Sequence, residues 1–154
     1  MILLEIILVL LTVAPLLVNI KTYVVTSGSM KPLYPVGSVI YVKNIDPNTI
    51  KKNDIITFYK NGSVATHQVY EIDRQNQDFK TQGINNKDEN GNIIHDAEPV
   101  KFSSLIGKPV FCIPYLGYIV SLIKEPPGIY IVIIITILML FINYILEKRY
   151  PNEK

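Results

Sequence analysis

Residues 55–72 read IITFYKNGSVATHQVYEI. Ile55 to Tyr59 and Val64 to Ile72 are rich in β-branched and aromatic side chains, which fit a pleated, half-buried surface. Asn61-Gly62 between them suits a tight hairpin turn. Upstream, Val36 to Val42 (VGSVIYV) has the same strand composition. Downstream, Asn90-Gly91 marks a second turn inside a polar stretch from Gln82 to Asp96. Phe111 to Ile123 (FCIPYLGYIVSLI) is apolar but interrupted by Pro114 and Gly117. It is either a core strand followed by a short helix, or a surface lying against a bilayer. No internal repeat or heptad pattern is present. Residues 21–128 are therefore expected to form one small, mainly β, antiparallel domain.

Two apolar runs frame that domain. Ile2 to Ile20 (ILLEIILVLLTVAPLLVNI) approaches the ~20 residues needed to cross a hydrocarbon core, although Glu5, Thr12, Pro15 and Asn19 interrupt it. Ile129 to Leu146 (IYIVIIITILMLFINYIL) carries no formal charge. It is preceded by Glu125-Pro-Pro-Gly128 and followed by Glu147-Lys148-Arg149. The reading is an N-terminal transmembrane anchor at 1–20, a C-terminal transmembrane helix at 129–146 and a cytoplasmic tail at 147–154. A cleaved secretory signal is the alternative for the first run, but it lacks a basic start and an A-x-A cleavage site. Lys148, Arg149 and Lys154 place the C-terminus in the cytoplasm by the positive-inside rule, with Lys21 as an opposing charge. The middle domain is then extracytoplasmic.

Composition narrows the chemistry. The 154 residues carry 15 Lys+Arg against 13 Asp+Glu, a formal charge of +2, with 18% charged residues. This argues against a disordered polyelectrolyte and against a nucleic-acid binder relying on a basic field. One cysteine and two histidines leave no material for a Cys-cluster metal site and little for a His-based one. No metal or cofactor is expected.

Ser27-Gly28-Ser29-Met30 is a small-residue turn in which a backbone could expose a serine and aim amides at a carbonyl. The base for such a serine would be His67, His95 or a lysine such as Lys43 or Lys80. Lysine would need strong desolvation to serve. A carboxylate orienting the imidazole could come from Asp96, Asp88, Asp73 or Asp54. Cys112, in an apolar run, reads as a core residue.

Taken in order, these stretches resemble the type I signal peptidases of the archaeal and endoplasmic-reticulum kind. Ser27-Gly28-Ser29-Met30-Lys31-Pro32 resembles the family's nucleophile box, S-x-S-M-x-P. Gly37 to Val42 resembles the strand G-D-x-x-x-V, and Asn53-Asp54-Ile55-Ile56 the strand G-D-I-V. Thr66-His67-Gln68-Val69 resembles the H-R-V box. Gly83-Ile84-Asn85-Asn86, followed by Asp96-Ala97-Glu98-Pro99-Val100, resembles the acidic box, G-D-N-N leading to D-P-E-P-V. Gly107-Lys108-Pro109-Val110-Phe111 and Ile113 to Gly117 match the closing segment. The similarity runs from about Val24 to Leu122.

The resemblance implies a membrane-bound serine endopeptidase that removes N-terminal signal peptides from exported preproteins, cutting after small residues. It implies Ser29 as nucleophile, His67 as general base, Asp96 as third catalytic residue, and Ser27 with the Ser29 N–H as oxyanion hole. An alternative register puts Asp88 in the place of Asp96, because the segment between Gly83 and Asp96 is longer than usual. Ile84 stands where the family has aspartate, which leaves open a non-catalytic membrane subunit that binds or positions substrates. Ser38 and Asn53 depart from the glycine–aspartate pairs and read as structural variation. Val25, Met30, Leu33 and Tyr34 are the expected walls of a shallow substrate pocket. The implied partners are secretory preproteins, the lipid bilayer and the translocation machinery; the implied location is an archaeal plasma membrane or the endoplasmic reticulum.

Overall fold

The computed structural model describes residues 20–124 and 127–149. The residues up to Gly117 form one compact unit and those from Tyr118 onward a second.

The first unit is an antiparallel sheet. Its strands are β1 (Ile20–Val24), β2 (Val39–Lys43), β3 (Ile55–Lys60), β4 (Ser63–Asp73), β5 (Asp78–Lys87), β6 (Ile93–His95), β7 (Val100–Lys101) and β8 (Leu105–Ile113). They pair in the order β1-β2-β8-β3-β4-β5-β6, with β7 on β5. The β3–β4 hairpin pairs Lys60 with Ser63 around Asn61 (φ 48°) and Gly62 (φ 78°), the two positive-φ residues that such a tight turn requires. Register shifts in β2–β8, β3–β8, β4–β5 and β5–β6 bend the sheet at four places. At Gly107 the strand β8 passes so close to the Lys43 carbonyl that a Cβ would collide with backbone.

Burial follows the strand pattern. Ile50, Ile56, Phe58, Val69, Phe79 and Val100 form one buried cluster, and Ile40, Val42 and Ile106 a second. Phe79 stacks on Phe102 with ring centroids 4.4 Å apart. Outside these clusters Asp54 joins its strand end to β8 by an ion pair to Lys108, 2.7 Å long.

Two boundaries differ from expectation. Ile20, assigned to the N-terminal anchor, opens β1, because its backbone continues the pairing with Lys43 of β2. Within the polar stretch from Gln82 to Asp96, strand β5 extends to Lys87 and β6 takes Ile93–His95. The Phe111–Ile123 run resolves into the end of β8 followed by a helix, α1 (Leu116–Lys124). Pro114 ends the ladder, and Tyr115 (φ 63°) turns the chain.

A second helix, α2, spans Gly128–Arg149. It takes in Gly128 and extends beyond Leu146 to Arg149. Its described apolar side chains are exposed, from Tyr130, Ile134 and Leu138 to Phe141 and Ile145. Among the described residues, no helix is long and apolar enough to cross a membrane. The expected anchor at 1–20 lies outside them but for Ile20, as do the tail residues 150–154 and the side chains of Ile129, Val132, Met139, Leu146 and Glu147 within α2. The tethering by two spanning helices is thus not found among the described residues.

Candidate active site

Ser29 sits in the turn after β1. The ladder of β1 runs on for one more residue, with Val25 N–H donating to Ser38 O at 2.8 Å and Gly37 N–H to Val25 O at 2.8 Å. The chain then folds back, Lys31 N–H to Gly28 O at 3.1 Å and Tyr34 N–H to Met30 O at 3.0 Å. Met30, 2% exposed, pins the turn into the domain. Its neighbour Ser29 is left half-buried, with Oγ 3.2 Å from that of Ser27.

His67 enters from β4, opposite Ile56 of β3. Its Nε2 is 3.2 Å from Ser29 Oγ and its Nδ1 is 2.6 Å from Asp96 Oδ2. A carboxylate facing Nδ1 requires the proton there, which leaves the Nε2 lone pair facing the serine hydroxyl. The ring is also set against Phe58, edge-on, with centroids 6.2 Å apart. His67 and Asp96 side chains are 14% and 11% exposed, so their contact is largely shielded from solvent.

Asp96 lies just beyond β6, and its N–H donates to Thr81 O at 2.9 Å. Its Oδ2 also accepts the Thr81 hydroxyl at 2.6 Å. Burial opposes ionisation of this carboxyl, but the bonds from His67 and Thr81 outweigh it and hold its pKa below the usual carboxylate range. Ser29, His67 and Asp96, remote in sequence, are therefore joined into one hydrogen-bonded chain.

The other candidates are occupied elsewhere. Asp88 sits exposed in the β5–β6 turn, where its carboxylate accepts from Asn90 N–H at 2.9 Å, Asn92 N–H at 2.7 Å and Asn92 Nδ2 at 3.1 Å. Asp73 caps its own turn through Gln75 and Asn76, and Asp54 holds Lys108 and the Lys51 N–H. His95 lies on Tyr70, ring centroids 4.0 Å apart. Lys80 is bonded to Glu71 at 2.7 Å, a contact that raises its pKa, the opposite of what a base needs. Lys43 is exposed at the end of β2.

Two departures from the resemblance have local explanations. Asn53 takes a left-handed conformation (φ 72°), which asparagine tolerates better than most residues, where the resemblance expects glycine. Ser38 is fully buried and donates its hydroxyl to Pro35 O at 2.6 Å.

A cleft of about 320 Å³ opens beside Ser29 and His67. One wall is Val25, Met30, Tyr34 and Ile40; the other is Val64, Ala65 and Thr66 of β4. Leu33, expected in the wall, is instead 50% exposed and outside the lining. Along β4, among the described residues, 63–67 pair with β3 alone, because β5 joins only from Gln68. Their other edge therefore remains open for an extended peptide. Thr81 and Ile40 were not singled out from the sequence for the parts they take here. The G-x-N-N stretch drew notice only for its missing aspartate.

No family model matches the chain. Among curated proteins it is similar to signal peptidase I W of Bacillus subtilis, 44% identical over 66 residues, 40% of this chain and 35% of that protein. It is also similar to the signal peptidase complex catalytic subunit SEC11C of Homo sapiens and of Mus musculus. Each is 26% identical over 110 residues, 68% of this chain and 57% of the relative. The matches thus span between about a third and somewhat over half of these relatives.

Proposed function

We propose that this chain is a relative of the type I signal peptidases, of the endoplasmic-reticulum and archaeal type, and that it is a serine endopeptidase of secretory preproteins; the similarities and the geometry above support the reading. The observation that carries the reading is the position of His67, with one ring nitrogen on Ser29 and the other on Asp96.

The reaction follows from that position. Ser29 Oγ adds to the scissile carbonyl as its proton passes to Nε2 of His67. Asp96 stabilises the imidazolium and keeps the ring in the orientation the transfer needs. The negative oxygen of the tetrahedral intermediate meets the Ser29 N–H and the Ser27 hydroxyl, and one such donor is commonly worth about 10²- to 10³-fold in rate. Collapse breaks the C–N bond, and His67 returns its proton to the departing amine of the mature chain. Water, activated by the same histidine, then hydrolyses the acyl-enzyme. The narrow cleft between Tyr34, Ile40 and Ala65 suits small side chains next to the cut.

A membrane setting belongs to this reading. The support is in the full sequence, where Ile129 to Leu146 carries no formal charge and approaches the ~20 apolar residues of a span once the side chains outside the described ones are counted. Exposed apolar side chains along the described helix support a lipid environment. With a second anchor ending before Ile20, Ser29 stands one short strand and a turn from the end of a span. Tethering raises its effective concentration at a signal peptide held in the same bilayer. Lys148 and Arg149 support an extracytoplasmic peptidase domain by the positive-inside rule, with Lys21 as an opposing charge.

The test uses membranes containing the full chain and a precursor whose signal ends in Ala-x-Ala. Wild type should cut after the last alanine, as read by sequencing the new N-terminus. Ser29→Ala and His67→Ala should each lower the rate by about 10³-fold or more. Equal cleavage by all three would sink the reading. A wild type that binds the precursor without cutting it would point to a substrate-positioning subunit.

A further inference from the structure

Strand β5 does more than bond Asp96 through Thr81. Past Gly83 it runs beside the turn that carries Ser29, and Asn85 makes two bonds to that turn. Its backbone N–H donates to Ser29 O at 2.8 Å, and its side-chain Nδ2 donates to Gly28 O at 3.0 Å. Two consecutive carbonyls of the nucleophile turn are thus fixed by one residue from a distant part of the chain.

We propose that Asn85 is a positioning residue that aims the Ser29 N–H into the oxyanion site. The proposal rests on the peptidase reading above. In a trans peptide the C=O and N–H of one plane point in opposite directions. The Gly28–Ser29 bond is trans, Lys31–Pro32 being the cis bond of this turn. Gly28 O and the Ser29 N–H belong to that same plane. Holding the carbonyl on Asn85 therefore holds the Ser29 N–H pointing away from that side chain. Gly28 O also accepts the Lys31 N–H, so the plane is held from within the turn and from outside it. The second bond, to Ser29 O, fixes the backbone on the far side of the nucleophile and with it the direction of Oγ.

Gly83 is what allows the approach. A Cβ there would lie 3.0 Å from Ser29 Cβ and 2.6 Å from Asn86 Nδ2. The strand could not then come close enough for Asn85 to reach Gly28. Ile84, at the position where the resemblance expects aspartate, has a side chain without donor or acceptor. In this chain the polar contact to the nucleophile turn is made by the next residue along.

A residue that aims an oxyanion donor acts on the transition state more than on bound substrate. Purified full-length chain in proteoliposomes would be assayed with a peptide spanning an Ala-x-Ala site. Binding of a peptide aldehyde ending in the same residues would be measured alongside, because its hemiacetal with Ser29 Oγ places an oxygen in the oxyanion site. Asn85→Asp keeps the shape but removes the donor to Gly28 O; Asn85→Ala removes the whole side chain. Each should lower kcat by about 10- to 100-fold, with KM unchanged within about twofold. Aldehyde affinity should fall by the same factor as kcat/KM, while an uncleavable peptide binds as before.

The thermal midpoint shows whether each variant is folded, and Asn85→Asp carries the test if Asn85→Ala is not. Three results would each overturn the proposal: a kcat within about threefold of wild type, a loss confined to KM, or an unchanged aldehyde affinity beside a lowered kcat. Failure of the underlying reading looks different. There the wild type itself neither cuts the peptide nor binds the aldehyde better than Ser29→Ala does, and the proposal falls with it.

Discussion

Asp88 opens the turn between β5 and β6 and Asp96 follows β6, and both are held below the ordinary carboxylate range. The causes differ. At Asp88 the first is the Asn92 backbone N–H, helped by the Asn92 side chain and by Asn90, all within an exposed turn. At Asp96 burial works against ionisation, and bonds from His67 on β4 and Thr81 on the adjacent β5 overcome it. The first carboxylate organises the few residues around it. The second ties three distant parts of the chain together. A depressed pKa is thus shared by a turn and a candidate site, and only the identity of the partner separates them.

The strongest way to break this contrast is to neutralise each carboxylate in turn. Asp96→Asn should lower kcat/KM by about 10²- to 10⁴-fold, because an amide facing Nδ1 no longer selects the tautomer that leaves Nε2 free to take the serine proton. Steady-state cleavage of a precursor peptide measures it. Activity within a few-fold of wild type would remove Asp96 from the reaction.

How far the sequence leads depends on which force sets each residue's place. The hairpin of β3 and β4 is legible because Asn61-Gly62 and the strand residues on either side agree locally. The end of β8 and helix α1 were open alternatives, decided by Pro114 and by Tyr115 at positive φ. Strand β5 escaped because Gln82, Gly83, Asn85 and Asn86 have little strand preference of their own. Gln82 is extended by pairing with β4 and β6, and Asn85 by its bond to Ser29 O within the irregular stretch before Lys87 rejoins β6, tertiary effects that composition does not carry. Thr81 and Asn85 escaped for the same reason, since each acts through a partner brought near only by the fold. Ser29 and His67 were legible through the motifs around them. Between Asp96 and Asp88 the sequence left a choice, and the hydrogen bonds distinguish them.

Thr81→Val sharpens the contrast from the side of Asp96. It removes one of the two bonds that offset burial of the carboxyl, and leaves the His67 contact in place. The sign of the pH effect follows. Asp96 is lowered in the folded state, so the stability its ionised form contributes is present above the ordinary aspartate pKa of ~3.9 and is lost as pH falls through its lower, folded value. In Thr81→Val that acid limb, read in the thermal midpoint, should move upward. The fall in kcat at neutral pH should be about 3- to 10-fold, the worth of one hydrogen bond to a charged group that the remaining partner partly compensates. An acid limb that stays where it is in wild type would show that Thr81 does not hold the carboxylate ionised.

The smallest effect is expected at the other carboxylate. Asp88→Asn keeps the size of the side chain but weakens the three bonds that close the β5–β6 turn. Cleavage should stay within about twofold of wild type, as for a surface substitution away from the site. The change should appear locally instead, as faster hydrogen exchange at the amides of Asn90 and Asn92, whose acceptor has lost its charge. The two readouts together discriminate the alternatives. If the turn alone loosens, Asp88 is a local organiser and the extra length between Gly83 and Asp96 is an excursion that leaves the site intact. If cleavage collapses while those amides stay protected, the carboxylate reaches the reacting groups in the working enzyme, and the assignment of the third residue passes from Asp96 to Asp88.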